Sequence, residues 1–303
     1  MAGPILETLI GGLLTGVLYA LVALGFVLIF KASGVFNFAQ GAMVLFAALS
    51  VARLSEVMPL VIAVALTVVI MVAVAYAVEF LVLRRLVNQE GIILFMATLG
   101  VAYFLDGFGQ TIWGSDIYKI NLGIPKEPMF FFENIFPGGL LIDREEVVAA
   151  LVCALLVAGL AIFFQVTRTG RALRAVADDH QAAQSVGIPL NTIWLIVWAV
   201  SGVVAIAAGM VWGSKLGVQF SISLVALKAL PVLILGGFTS IPGAIVGGLI
   251  IGATEKLAEV YIGSSIGLNI GTGMENWFPY MLALVFLLVR PEGLFGEKRI
   301  ERI

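Results

Sequence analysis

Apolar residues run along this chain in long blocks free of charge. No Asp, Glu, Lys or Arg occurs in 8–30, 32–52, 57–78, 147–167, 180–214 or 229–254, and shorter clean runs cover 91–105 and 276–289. A hydrocarbon core of about 30 Å is crossed by roughly 20 apolar residues in helix. Backbone groups in lipid must be paired within the segment, so the blocks predict helices, and the alternation of a membrane barrel is absent. Spans are expected near 6–30, 36–53, 59–83, 90–113, 145–166, 190–213, 229–252 and 276–290. The fold class is an all-α polytopic membrane protein of about eight transmembrane helices with broken or re-entrant segments, forming one transmembrane domain over 1–303. No Lys or Arg precedes Lys31, so the first block lacks the basic start of a cleaved signal peptide.

Composition agrees. Length alone would allow two soluble domains, but 61% of residues are hydrophobic and 12% charged, against about half and about a quarter in a soluble domain. Mean hydropathy is +1.11. With 17 basic and 19 acidic residues there is no basic field for nucleic acid. One cysteine excludes an internal disulfide and a cysteine zinc site, and one histidine excludes a His-rich metal cluster.

Lys and Arg in short loops orient such a chain. Arg84-Arg85, the trio Arg168, Arg171 and Arg174, and the tail Arg290, Lys298, Arg299 and Arg302 are assigned to the cytoplasm. Two spans separate the first cluster from the second, as that requires. Three long segments separate the second from the third, which is the wrong parity. The stretch 216–254 must therefore hide an extra crossing or a re-entrant pair. Leu235-Gly236-Gly237-Phe238-Thr239-Ser240-Ile241-Pro242-Gly243 is the place for a break, because Gly, Ser and Pro interrupt helices. The loop 114–144, with Asp116, Lys119, Lys126, Glu127 and Glu133 beside Phe130-Phe131-Phe132, is expected outside the membrane. It reads as an interfacial loop with an aromatic anchor or as a contact for an external partner protein.

Small residues recur at helical spacing: Gly12-x3-Gly16, Gly243-x3-Gly247, Gly248-x3-Gly252, and Ser201, Ala205, Gly209 and Gly213. They serve close helix approach, within the bundle or toward a second subunit. Polar side chains inside the blocks are the candidate path: Asn37 and Gln40, then Thr98, Tyr103, Asp106 and Gln110, with Tyr103, Asp106 and Gln110 on one helix face. Asn37 and Gln40 serve equally as helix–helix hydrogen bonds, and Asp106 as an acid reaching external water. Thr15 with Tyr19, and Tyr76 with Glu79, complete the set, Glu79 being placed to pair with Arg84-Arg85. These acids do not form a chain through the membrane, so nothing suggests proton or ion coupling.

The segment 168–191 reads as two short cytoplasmic helical pieces. Asp178 or Asp179 caps the second, Ala182, Ala183 and Val186 give it an apolar face, Gly187 suits its C′ position and Pro189 stops it. A capped small helix of this kind suits a groove in another protein. No G-x-x-x-x-G-K-[ST] phosphate loop occurs, so nucleotide energy would have to come from a separate ATPase.

Four stretches together carry a family resemblance. The run from Gly11 to Gly25 followed by Asn37-Phe38-Ala39-Gln40-Gly41 resembles the start of branched-chain amino-acid ABC transporter permeases, the LivH-type subunit. Gly170 to Ala177 with Gly187-Ile188 is similar to that family's cytoplasmic coupling loop. Leu235 to Ala244 with Gly247-Gly248 resembles its late glycine-rich motif, and Arg290 to Gly296 its C-terminus. The four occur in family order over nearly the whole chain, and 114–144 matches least. The resemblance implies an importer permease in a bacterial or archaeal inner membrane. It would pair with a second related permease, two cytoplasmic ATPases and an external substrate-binding protein. The chain itself would bind no cofactor, ATP being used by the ATPases. The cargo would be leucine, isoleucine and valine, or in relatives other amino acids, urea or short amides. The coupling role falls on 168–189: Arg171, Arg174, Asp178, Asp179, His180 and Gly187. An ion-driven carrier is the rival and predicts a buried acidic cluster at broken helices. A passive channel or a membrane enzyme finds less support, since no nucleophile–base pair or metal set is visible.

Overall fold

The computed structural model describes residues 2–34, 36–86, 89–125, 128–131, 139–262 and 273–296, with the backbone alone at 2, 128, 131, 180, 225 and 262. The chain is helical as expected: α1 (Ala2–Ser33), α2 (Gln40–Val57), α3 (Leu60–Leu81) and α4 (Gly91–Trp113) come first. A short antiparallel pair follows, β1 (Pro128–Phe131) with β2 (Leu140–Asp143), Pro128 opposite Asp143. Then come α5 (Arg144–Val166), α6 (Arg168–Asp178), α7 (His180–Ser185), α8 (Leu190–Leu216), α9 (Ser221–Ala226), α10 (Ala229–Gly236), α11 (Ile241–Leu257), a π-helical turn (Ala258–Ile262) and α12 (Met274–Val289). Among the described residues seven helices are long and apolar enough to cross a membrane, against the eight expected.

The difference lies in the last third. The span expected at 229–252 is two helices, α10 and α11, and the break falls at 237–240 inside the predicted motif. Gly237 turns the chain at φ +104°, a conformation glycine adopts without steric cost. Ser240 then caps α11, its Oγ accepting from Gly243 N at 3.0 Å, with Pro242 in the first turn. The carbonyls at the end of α10 are not left bare. Leu294 N donates to Leu235 O (2.8 Å) and Phe295 N to Gly236 O (3.1 Å). Two motifs far apart in sequence, 235–244 and 290–296, are thus one structural feature. The span at 276–290 is the sixteen-residue α12, shorter than a full crossing.

The helices sort into two compact units: Met1–Ala23, Gly123–Val157 and Lys228–Ile303, and Leu24–Leu122 with Ala158–Leu227. In the first, the glycine pairs of α1 and α11 lie against each other. A Cβ on Gly16 would sit 2.6 Å from the Gly248 carbonyl oxygen, and one on Gly12 2.7 Å from that of Gly252. Gly247 meets α10 in the same way, 2.7 Å from Val232 O. In the second unit α2 is the centre, packed by α3, α4, α8 and α9. Gly209 of the α8 stripe would bring a Cβ 2.8 Å from Val44 O, and Gly41 one 2.5 Å from Ser223 O. Lipid gives helices little hydrophobic reason to associate, so backbone approach through these glycines holds the helices of each unit together. α3 and α4 both lean on α2 and leave between them an apolar cavity of about 930 Å³ floored by Phe46.

Replacing Gly16 by Leu forces overpacking at the α1–α11 contact and is expected to cost about 1–3 kcal/mol. Thermal melting of the solubilised protein should fall accordingly, whereas Gly91→Leu, at a glycine with open space around it, should melt like wild type. Equal melting of both variants would contradict this packing.

Candidate functional site

Three places concentrate polar chemistry. The first is the joint between α1 and α2. Asn37 is fully buried and its Oδ1 accepts from Ala39 N at 3.0 Å, turning the chain into α2. Gln40, also fully buried, bonds across to α8. Its Nε2 donates to Ser201 O (3.4 Å), and Ser201 Oγ donates to its Oε1. Gly25 of α1 makes room, since a Cβ there would stand 2.7 Å from Gln40 Nε2. Thr98 of α4 ties down the same connection: its Oγ1 accepts from Phe38 N (3.3 Å) and lies 3.3 Å from Phe36 O. Phe26, Phe36, Phe38 and Phe95 pack in sequence around it at centroid distances of 4.7–4.8 Å.

The other candidate path residues lie further along α4. Asp106 is half-buried, and its Oδ1 has no hydrogen-bond partner among the described residues. Gln110, one turn on, lines a small cavity of about 80 Å³ with Leu45, Leu49, Asp116, Gln219 and others. Tyr103 is 73% exposed on the outer side of the helix. Asn37, Gln40 and Thr98 are therefore gathered at one joint, while Tyr103, Asp106 and Gln110 follow α4 away from it.

The second place is 167–189. Thr167 Oγ1 accepts from Gly170 N (3.1 Å) and starts α6. Arg174 donates to the carbonyls of Phe164 (2.9 Å) and Gln165 (3.3 Å), and Arg171 to that of Val166 (3.2 Å). The two arginines thereby close the C-terminus of α5, whose last carbonyls have no partner within the helix. Of the two aspartates offered as the cap of the second piece, Asp179 serves: its Oδ1 accepts from Gln181 N (2.8 Å) and Ala182 N (3.0 Å). Asp178 is exposed at the end of α6. Gly187 ends the element at φ +86°. The apolar face expected on α7 is divided. Ala183 is buried with Leu173 and Val176 of α6, while Ala182 is exposed and Val186 is 76% exposed. The His180 side chain lies outside the described residues.

The third place is one that sequence reading passed over. Lys228 and Glu255 are the two charges that end the clean run 229–254. Because the run folds back at 237–240, they meet: Lys228 Nζ lies 3.4 Å from Glu255 Oε1. The Tyr19 hydroxyl donates to the same oxygen (3.1 Å), and Glu275 of α12 reaches Lys228 at 3.9 Å. Glu255 is 3% exposed, and its Oε2 has no hydrogen-bond partner among the described residues. Tyr19 was singled out in the sequence, but its partner stood 236 residues away. Glu79 and Arg84 pair as expected at 3.2 Å. Among the described residues no group of three or more His, Cys, Asp or Glu is placed to hold a metal.

The chain matches the family model described as branched-chain amino acid transport system / permease component over residues 8–290. It belongs to that family. Among its relatives is the high-affinity branched-chain amino acid transport system permease protein BraD of Pseudomonas aeruginosa. The two are 28% identical over 98% of each chain. LivH of Escherichia coli is 28% identical, covering 98% of this chain and 97% of its own. The probable LivH of Methanocaldococcus jannaschii is 29% identical over 97% and 94%. Of solved structures, PsaBC from Streptococcus pneumoniae in complex with Fab matches with a TM-score of 0.50 at 15% identity, covering 96% of this chain and 97% of that one, which is a likeness of fold. This family member is a multi-pass inner-membrane protein and a permease subunit of an ABC importer.

Gln40→Leu removes one side of the buried bond to Ser201 and is expected to cost about 1–3 kcal/mol of stability. Reduced melting and reduced assembly would follow. Wild-type melting with reduced uptake would show instead that Gln40 acts on the cargo and not on the joint.

Proposed function

We propose that the chain imports branched-chain, hydrophobic amino acids by alternating access, driven by two separate cytoplasmic ATPases, beside a second related permease and below an external binding protein. The observation that carries this reading is the capped, kinked pair α6–α7. One aspartate ends the first helix and starts the second, and the outer side presents Ala182 and Val186. A solvated connector needs neither two caps nor exposed apolar residues, whereas a lever seated in an ATPase groove needs both. Arg171 and Arg174 would pass its movement to α5, whose end they hold. The cargo's identity is supported by the relatives, which are named as branched-chain amino acid transport permeases.

Charge placement supports the orientation. With Arg174 and Arg290 both cytoplasmic, an even number of passes must separate them. α8 and α11 are long enough to cross, and if the shorter apolar stretches 221–236 and α12 complete a pass each the number is four. For the path we propose the α4 line of Asp106 and Gln110, with Tyr103 beside it, and assign Asn37, Gln40 and Thr98 to the joint that positions α2 against it. Few strong contacts line such a route, which suits a cargo that must leave again.

An ion-coupled carrier has one observation in its favour, the buried Glu255 beside a broken helix. Its Oε1 already faces the Lys228 ammonium, a fixed counter-charge within the chain, so Glu255 needs no coupling ion to answer it.

Asp179→Ala removes both cap bonds of α7 and should cost about 1 kcal/mol of local helix stability. In proteoliposomes containing the complete complex, ATP hydrolysis should persist while uptake of leucine falls severalfold. Unchanged uptake per ATP would count against the lever, and gradient-driven leucine flux through the permease without ATPases would count against the whole reading.

A further inference from the structure

The Lys228–Glu255 pair has no part in the function argued so far, yet it carries charge into a span where unpaired charge is expensive. Its contacts are loose. Charge-assisted hydrogen bonds to carboxylates run to about 2.7–2.9 Å, but Lys228 stands 3.4 Å from Glu255 and 3.9 Å from Glu275. An ammonium has three donors and no acceptor, so Lys228 has donors to spare. Glu255 has spare capacity of the opposite kind. Tyr19 and Lys228 both engage Oε1, and Oε2 is buried with no hydrogen-bond partner among the described residues. A pair so incompletely satisfied is a poor structural element, since burial of the charges is only partly offset.

What would complete it is a group carrying an acceptor for Nζ and a donor for Oε2 at once. We propose that Lys228 and Glu255 form a binding station for the zwitterionic head of an α-amino acid, its carboxylate on Lys228 Nζ and its α-ammonium on Glu255 Oε2. This rests on the amino-acid reading above and says where the cargo's charges are met. The pair is neutral as a pair and so is the zwitterion, so occupancy adds no net charge to the span. A lone cation would face Lys228 and a lone anion would face Glu255, so each is disfavoured. The Tyr19 hydroxyl holds Oε1 in place and so fixes the carboxylate that offers Oε2. Exposure rises from Glu255 (3%) through Lys228 (13%) to Glu275 on α12 (44%), so a head group would come in from the Glu275 side and displace what covers Oε2. Glu275 is the alternative partner that steadies Lys228 when the station is empty. The station is weak because its groups already partly satisfy one another, as a transit site requires.

The test separates a cargo site from a structural ion pair. A buried pair that is only structural can be replaced by apolar residues of similar size with little loss. The complete complex carrying Lys228→Met together with Glu255→Met is therefore compared with wild type in proteoliposomes supplied with ATP, binding protein and radiolabelled leucine. The proposal expects assembly and melting at or above wild type but uptake lower by about tenfold or more; uptake at the wild-type rate overturns it. Should the double variant not assemble, Glu255→Asp keeps the charge and withdraws Oε2 by one methylene. It is expected to melt near wild type with uptake reduced about tenfold, and undiminished uptake by this variant again overturns the station. If the wild-type complex takes up another solute and no amino acid, the functional reading itself falls and the station with it.

Discussion

A membrane span tolerates a charge only when something answers it, and the last third of this protein is arranged around that constraint. Lys228 and Glu255 mark the ends of a 26-residue run with no charge. Drawn out as one helix the run would hold them near opposite faces of the bilayer. Folded at Gly237 into α10 and α11, it brings them within 3.4 Å and places Tyr19 and Glu275 beside them. The break is stabilised at its other end by the backbone of 294–295, which occupies the carbonyls that α10 leaves open. An irregular backbone inside a bilayer persists only where protein satisfies it, and here the C-terminal segment does so.

Around this feature the packing follows from the solvent. With lipid on the outside, helices gain little from burying apolar surface, so contact depends on how near two backbones can come. Gly12 and Gly16 against Gly248 and Gly252, and Gly209 and Gly41 around α2, are places where a single Cβ would collide with a carbonyl. The polar side chains obey the same logic. Gln40 and Ser201 answer each other in a buried interior, whereas Arg171, Arg174 and Asp179 answer helix ends. The interior bonds fix the bundle. Those at the helix ends fix the angle between α5, α6 and α7.

Much of this was legible in the sequence, for physical reasons that differ by element. Charge-free blocks mark spans because charge in lipid is costly, and α1, α3, α4, α5 and α8 lie where the blocks lie. The parity of basic clusters together with Gly, Ser and Pro at 236–243 predicts a break where the chain turns at 237–240. The Asp179 and Gly187 caps are local and could be read locally, although the apolar face of α7 could not. Which of Ala182, Ala183 and Val186 turns inward depends on α6, a neighbour that periodicity over six residues does not specify. The charge cluster was invisible for a deeper reason. Lys228 and Glu255 each looked like the edge of a span, and only the hairpin makes two edges into a pair. Gln40 and Ser201 each stand out as polar positions in apolar blocks, but a hydrogen bond across 161 residues has no signature in spacing.

The fold-back of 229–254 is the claim on which the rest depends, and it fixes a distance that can be measured. Spin labels at Leu230 and Thr254, in the assembled transporter with Cys153 replaced by Ser, report it by pulsed electron resonance. With a rise of about 1.5 Å per residue, a hairpin at 237–240 places the two positions roughly 15 Å apart. A single uninterrupted helix from 229 to 254 would place them about 36 Å apart. The short distance is the result this structure predicts, and the long one would contradict it.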